Sequence, residues 1–250
     1  MYALVDGNNF YVSCERVFRP ELERIPMVVL SNNDGCIVSR SAEVKALNIP
    51  MGEPWFKIKD IAQLNGILAF SSNYELYGDM SARMHRVIGD FAPRQEIYSI
   101  DETFLDVTGM REDLTAMGQR IRYRTRQWVG IPVCVGIAPT KTLAKLANHI
   151  AKKRPEFDGV CNLGAMQSAD VEGLMATLPV ASVWGIGRQW NKRLKDMGVH
   201  NVLALRDCPP KPMRALGGVV LERMIAELKG IHPHVVYWRG WEVIYIPLVI

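Results

Sequence analysis

Residues 97–107 read Ile-Tyr-Ser-Ile-Asp-Glu-Thr-Phe-Leu-Asp-Val, and the fold turns on how this stretch is placed. It predicts two short strands meeting at a polar tip, with Asp101 and Glu102 at the tip. Ile97, Ile100, Phe104 and Leu105 are apolar enough for both strands to be central. Neighbouring carboxylates repel each other and resist burial, so a folded protein keeps them together with solvent or a cation. Near the amino end the apolar run Tyr2-Ala3-Leu4-Val5 finishes on Asp6, a third carboxylate emerging directly from a core element. Asp6, Asp101 and Glu102 together would make an oxygen-ligand cage for two Mg²⁺ ions, the kind that runs in-line displacement at phosphorus. The plainer reading makes Asp6 a turn cap and the pair a solvated hairpin tip, because acidic residues are common in turns.

Composition narrows the class. The 250 residues are 48% hydrophobic and 22% charged, ordinary for a globular protein with ample core. A net charge of +4 says little about a polyanionic partner, so local clustering must carry that argument. Cys14, Cys36, Cys134, Cys161 and Cys208 are odd in number and contain no Cys-x-x-Cys pair. They read as small buried hydrophobes in a reducing compartment, not as a disulfide frame or a zinc site. The run before Asp6 is too short for a secretory signal, and no apolar stretch approaches the ~20 residues that cross a bilayer. A cytoplasmic protein without membrane contact is expected.

Along the chain, residues 1–10 read as a buried strand ending in the turn signal Asp-Gly-Asn-Asn. Residues 11–75 mix short β-prone runs with one helix over Ser41–Leu47. Leu76, Met80, Met84, Val87 and Phe91 recur at helical spacing, and Pro93 stops that helix. After the carboxylate hairpin come a helix near Leu114–Val129, a strand at Val133–Ile137 and a helix over Lys141–Lys152. This order suits an α+β fold with helices on one face of a sheet. From about Ser168 the pattern becomes purely helical, which places a boundary near Gly164.

Two basic constellations stand out. In the Lys141–Lys152 helix, Leu143, Leu146, Ala147 and Ile150 form the inward stripe, while Lys141, Lys145 and Lys152 share a narrow arc. With Lys153 and Arg154 that makes five basic and no acidic residues in fifteen positions, which favours a phosphate-facing surface over a merely solvated one. The second, Val183-Trp184-Gly185-Ile186-Gly187 followed by Arg188, Lys192, Arg193 and Lys195, is a helix-hairpin-helix pattern. Its glycines would let backbone N–H groups approach a phosphate, positioning nucleic acid without reading its sequence. A glycine-bearing turn packed for shape is the alternative. Phe10 and Tyr11 would either wall a nucleotide pocket or belong to the core. Neither a Walker P-loop nor a Rossmann glycine pattern is present, and His85, His149, His200, His232 and His234 show no metal-ligand spacing beyond an incidental His-Pro-His.

Taken together, Val-Asp-Gly-Asn-Asn-Phe-Tyr-Val-Ser-Cys-Glu (5–15), Ser-Ile-Asp-Glu (99–102), Val-Gly-Ile-Ala-Pro-Thr-Lys-Thr-Leu-Ala-Lys-Leu-Ala-Asn (135–148) and Val-Trp-Gly-Ile-Gly (183–187) resemble the Y-family translesion DNA polymerases. Ser-Asn-Asn-Asp-Gly-Cys (31–36) and Phe-Ser-Ser-Asn-Tyr-Glu-Leu-Tyr (70–77) are similar to the UmuC-type branch, the catalytic subunits of bacterial DNA polymerase V. The resemblance runs in register from residue 1 to about 230.

It implies a palm (1–10 and 75–165) with an antiparallel-rich sheet, small fingers (11–74), and an all-α helix-hairpin-helix thumb (166–230). By that resemblance Asp6, Asp101 and Glu102 are the metal-binding carboxylates, with the Gly7 carbonyl adding a ligand. Tyr11 is the steric gate against a ribose 2′-hydroxyl. Phe10, Ser39, Arg40, Lys45 and Lys152 lie about the nucleotide, with Ala42 nearby. Lys141, Lys145, Gly185, Gly187, Arg188 and Lys192 face DNA. The implied activity is error-prone, two-metal nucleotidyl transfer in the SOS response to DNA damage, with primer–template DNA and dNTPs as substrates. A UmuD′-like accessory subunit, a recombinase filament and a sliding clamp are the implied partners. Relatives continue into a little-finger domain and a docking tail, whereas residues 231–250 depart from the pattern. Tyr237, Trp238, Trp241 and Tyr245 there would pack on the thumb or form a sticky end. A core deficient in template grip is therefore expected, with a non-catalytic DNA-binding remnant as the competing reading. A two-metal nuclease is disfavoured, because no water-activating base stands beside the carboxylates.

Overall fold

The computed structural model describes residues 1–232, together with the backbone of Val235–Arg239 and Glu242–Ile246. The strands are β1 (Tyr2–Gly7), β2 (Met27–Leu30), β3 (Ile37–Arg40), β4 (Leu68–Ser71), β5 (Arg94–Ile97), β6 (Glu102–Asp106), β7 (Val133–Ala138), β8 (Val160–Asn162), β9 (Val235–Arg239) and β10 (Glu242–Ile246). The helices are α1 (Phe10–Phe18), α2 (Ala42–Ala46), α3 (Trp55–Leu64), α4 (Tyr74–Gly89), α5 (Leu114–Val129) and α6 (Lys141–Lys153). They continue with α7 (Ser168–Thr177), α8 (Arg188–Asp196), α9 (Val202–Arg206) and α10 (Pro210–Leu228). Two compact units share them: Met1–Leu4, Phe104–Ala116 and Val135–Ile250 make one, and Val5–Thr103 with Met117–Cys134 make the other.

A five-stranded sheet has the order β5-β6-β1-β7-β8. The Gly7 N–H donates to the Asp101 carbonyl, while the Val107 N–H donates to the Met1 carbonyl, so β1 and β6 run in opposite directions. β7 pairs with β8 in parallel and is buried at all six positions. The hairpin forms as the sequence predicts, with β5 and β6 joined by residues 98–101. Its strands are not both central, however. β5 is the edge strand, and Ile97 is 61% exposed, whereas Phe104 and Leu105 of β6 are fully buried. An edge position gives β5 a neighbouring strand on one side among the described residues, which apolar composition alone does not reveal.

The second unit also holds a three-stranded sheet, order β3-β2-β4, with β2 antiparallel to β3 and parallel to β4. Val28, Leu30, Ile37, Val44, Ile49, Ile58, Ala62 and Ile67 cluster beneath it. Each large side chain buried there contributes about 1.5–3 kcal/mol. That outweighs an exposed pair such as Asp79–Arg83, whose class is worth ~1 kcal/mol or less.

Helix α4 begins before the expected Leu76 because the Asn73 side chain caps it, accepting from the Leu76 N–H at 3.1 Å, and it ends at Gly89. Helices α1 and α3 were not anticipated. The α1 sequence, Phe-Tyr-Val-Ser-Cys-Glu-Arg-Val-Phe, is aromatic and β-branched, and the chain enters it through Asn9 in the left-handed conformation (φ 50°). In α3 only Ile58 and Ala62 are buried, one turn apart, too sparse a stripe to read as a helix.

In the first unit, Thr140 caps α6 by accepting from the Leu143 N–H at 3.3 Å. Glu227 of α10 reinforces that end: its carboxylate accepts from the Thr142 N–H at 2.9 Å and its carbonyl from the Thr140 hydroxyl at 2.8 Å. Helix α10 is broken at Gly218, whose φ of 69° suits glycine. Strands β9 and β10 pair antiparallel, Val235 opposite Ile246. The packing expected of Tyr237, Trp238, Trp241 and Tyr245 lies outside the described residues. Among the described residues no helix is long and apolar enough to cross a membrane. Burial pushes the Cys14 and Cys161 thiols up to about 12, consistent with inert core cysteines.

Strand β7 meets α6 at a point where only hydrogen fits. A Cβ on Gly136 would lie 2.1 Å from the Asn148 nitrogen and 2.2 Å from the Ala144 carbonyl oxygen, both backbone atoms. Gly136→Ala is therefore expected to destabilise by at least about 1–3 kcal/mol. Gly173→Ala, in α7 with open space around it, should instead stabilise by ~0.5–1 kcal/mol. Thermal melts of the two variants against the parent check both signs.

Candidate active site and nucleic-acid interface

The sheet order places the end of β1 beside the start of β6, and the site is built there. Gly7 donates its N–H to the Asp101 carbonyl at 2.8 Å, and Asn8 donates to the Pro132 carbonyl at 2.8 Å. Asp6, Asp101 and Glu102 are all half-buried. A Cβ on Gly7 would touch the Phe10 ring at 3.0 Å and the Met84 sulfur at 3.4 Å, so the backbone sits tight on its own core. Phe10 itself is buried and belongs to that core.

The turn carrying Asp101 is held from several directions. The Ser99 hydroxyl donates to Asp101 Oδ1 at 2.8 Å and accepts from the Glu102 N–H at 3.0 Å. Ser81 Oγ of α4 donates to the Ile100 carbonyl at 2.6 Å, and His85 Nε2, one helical turn on, lies 3.1 Å from the Ser99 carbonyl. A carbonyl only accepts, so Nε2 carries the proton. Burial pushes His85 below its ordinary pKa, against the opposing pull of the Ser99 and Ile100 carbonyls and of Asp101. Ser81 and His85 escaped the sequence reading. The available signal was two polar residues four apart on the inward face defined by Tyr77, Met80, Met84 and Ile88.

Among the described residues, no three His, Cys, Asp or Glu side chains converge to hold one ion. The expected cage is thus present as adjoining backbone positions and not as a gathered set of oxygens. Asp101 turns one oxygen to the Ser99 hydroxyl.

Beyond Asp6, Tyr11 on α1 stacks on Tyr77 (centroids 4.4 Å apart, 16° between planes) and meets Tyr74 edge-on at 6.1 Å. Tyr77 is fully buried and donates its hydroxyl to the buried Glu15 carboxylate at 2.8 Å. Burial first, then the charges of Tyr74, Asp101 and Cys14, raise the Tyr11 pKa. Lys45 of α2 donates to the Asn9 side chain. Ser39 is buried and accepts from the Val12 N–H at 3.5 Å, and the Arg40 guanidinium donates to the Ile49 carbonyl.

Lys141, Lys145, Lys152, Arg188 and Lys192 belong to the other unit. Lys141 lies over the Tyr2 and Phe104 rings at 5.8 and 5.3 Å. Lys145 lies 4.6 Å from the Trp184 ring centroid, joining α6 to the glycine hairpin. Lys152 is exposed, as are Arg188 and Lys192 at the start of α8. Gly185 takes φ 92°, where a Cβ would strike Met224, while the space around Gly187 is open.

This architecture is that of the Y-family DNA polymerases. An insertion ternary complex of Dbh DNA polymerase superposes with a TM-score of 0.76 at 25% identity, covering 91% of this chain and 66% of that one. The crystal structure of DinB from Sulfolobus solfataricus, at 22% identity and TM-score 0.76, covers 93% and 68% and supports the fold alone. A model of the impB/mucB/samB family matches residues 5–149, and the chain belongs to that family. Protein UmuC of Salmonella typhimurium is 49% identical over 233 residues, covering 92% of this chain and 55% of that protein. Protein MucB of Escherichia coli is 45% identical over 232 residues (92% and 55%), and DNA polymerase IV of Moorella thermoacetica 32% identical over 224 (87% and 54%). The chain spans about half the length of the curated relatives it matches.

Two outcomes follow from the buried polar groups. Tyr77→Phe strands the Glu15 carboxylate and should cost about 1–3 kcal/mol of stability in denaturant titration. His85 holds its proton less tightly when folded than when unfolded, so its stabilising neutral form is fully present above the unfolded value near 6.5. The melting temperature should fall as pH drops from about 6.5 towards 5, with a shallower decline in His85→Gln.

Proposed function

We propose that the chain is the core of an error-prone DNA-directed DNA polymerase for translesion synthesis after DNA damage, taking primer–template DNA and dNTPs. The observation that carries this reading is the hydrogen bond from the Gly7 N–H to the Asp101 carbonyl, which brings the end of β1, with Asp6, beside the start of β6, with the Asp101-Glu102 pair. The donor set fits a hard divalent cation: carboxylate oxygens, half-buried, on adjoining strand ends. Asp6, Asp101 and Glu102, with the Gly7 carbonyl, would hold two Mg²⁺ ions. When bound, such ions lower the pKa of a primer 3′-hydroxyl and neutralise the charge of a triphosphate.

In this reading residues 1–10 and 75–165 are palm, 11–74 fingers and 166–230 thumb. The Tyr11 ring, braced by Tyr77, would serve as the gate that excludes a ribose 2′-hydroxyl. Lys45 and Lys152 bring positive charge to the triphosphate, while Phe10, Ser39 and Arg40 shape the floor on which the nucleotide rests. Lys141, Lys145, Arg188 and Lys192, with the open backbone at Gly187, hold DNA phosphates irrespective of sequence. A fingers unit whose longest helix is α3, 10 residues, has little with which to press on a nascent base pair, which favours tolerance of lesions over fidelity.

The contrary reading is DNA binding without incorporation. Primer extension in Mg²⁺ separates the two. The parent is expected to extend with low processivity, and Asp101→Ala to lose at least about 10²-fold in rate while keeping salt-sensitive DNA binding. Binding by the parent with no incorporation at any enzyme concentration would establish the contrary reading.

A further inference from the structure

Three successive backbone carbonyls lead into the carboxylate pair, and a different group holds each. His85 takes the Ser99 carbonyl, Ser81 the Ile100 carbonyl and Gly7 the Asp101 carbonyl. Peptide planes are rigid, so pinning consecutive carbonyls leaves the intervening backbone almost no freedom. The direction in which the Asp101 and Glu102 side chains leave the turn is then set by α4 and β1 together. Ser99 closes the arrangement from inside the turn through the Asp101 oxygen and the Glu102 N–H.

We infer that Ser81 and His85 are positioning residues for the Asp101-Glu102 pair, fixing its approach to a divalent cation without touching the cation themselves. Ser81 is 8% exposed and His85 3%, and both sit on the inward face of a helix whose other buried members include Met80, Met84 and Ile88. Apolar residues would serve the packing of that face at lower desolvation cost. The cost is evident at His85, whose Nδ1 is buried with no hydrogen-bond partner among the described residues. What the ring supplies is the bond from Nε2 to the Ser99 carbonyl of the turn. The Gln95 amide, donating to the His85 carbonyl at 2.8 Å, ties this point of α4 to β5, so helix and hairpin are registered on each other from both sides.

The inference rests on the reading of Asp101 and Glu102 as cation ligands, and its test separates the two. Mn²⁺ binding to the full chain without DNA is followed by water proton relaxation. Asp101→Ala should abolish tight binding; binding equal to the parent would reject the ligand reading, and the inference with it. Given that loss, His85→Leu and Ser81→Ala are each expected to weaken Mn²⁺ affinity about tenfold, the low end for groups that orient metal ligands. His85→Gln, whose amide nitrogen reaches the same carbonyl, should stay within about threefold of the parent. Primer extension should show the same order in the Mg²⁺ needed for half-maximal rate, with the KM for dNTP unchanged. Ser81→Ala deletes a single oxygen and keeps the test open if His85→Leu does not fold. Parental Mn²⁺ affinity in folded His85→Leu and Ser81→Ala would overturn the inference, and so would His85→Gln as weak as His85→Leu.

Discussion

The hydrogen bond from the Gly7 N–H to the Asp101 carbonyl is the constraint on which the rest of the site depends. It is an ordinary ladder bond, worth about 1 kcal/mol in isolation. Its importance is geometric, because it brings the end of the first strand to the turn of a hairpin far along the chain. Asp6 precedes the donor, Phe10 packs beneath it, and Tyr11 follows on the helix that leaves it.

The junction is kept by buried apolar neighbours and by a few buried polar groups, and these play different parts. Ala3, Leu4, Val5, Phe104 and Leu105 supply the stabilisation and are indifferent to small rotations of the turn. Ser81, His85 and Glu15 add little net stability, since each must surrender water to make its bond. They fix orientation instead: Glu15 anchors Tyr77, which braces Tyr11, and the α4 pair anchors the turn. Backbone positions are set by packing and ladder bonds.

Much of the fold was legible because some elements combine strong periodicity with clear punctuation. The inward stripe Leu143, Leu146, Ala147 and Ile150, with Thr140 before it and Pro155 after, leaves α6 little alternative. The same holds for α5 and for β7, whose unbroken apolar run matches a strand buried throughout. Helix α1 was not legible, since its residues favour a strand when considered locally and become helical because Phe10, Val12 and Cys14 find cover together. Helix α3 buries too few residues to announce itself. In the site, Asp6, Asp101 and Glu102 stood out because adjacent carboxylates beside apolar runs conflict with simple burial. Ser81 and His85 did not, because a serine and a histidine inside a helix resemble many that do nothing.

The amino-acid sequence by itself determined the inventory: the α+β order of elements, the three carboxylates, the lysine face of α6 and the glycines of the hairpin. Those features are local, written in spacing and residue type over a turn or two of chain. Only the tertiary structure decided that β5 lies at the edge, that Gly7 meets Asp101, that Lys145 covers Trp184, and that α4 reaches the turn through two buried donors. Such pairings join residues remote in the chain. They are selected by which surfaces can be buried at once with every polar group answered, and no window of local sequence contains that information.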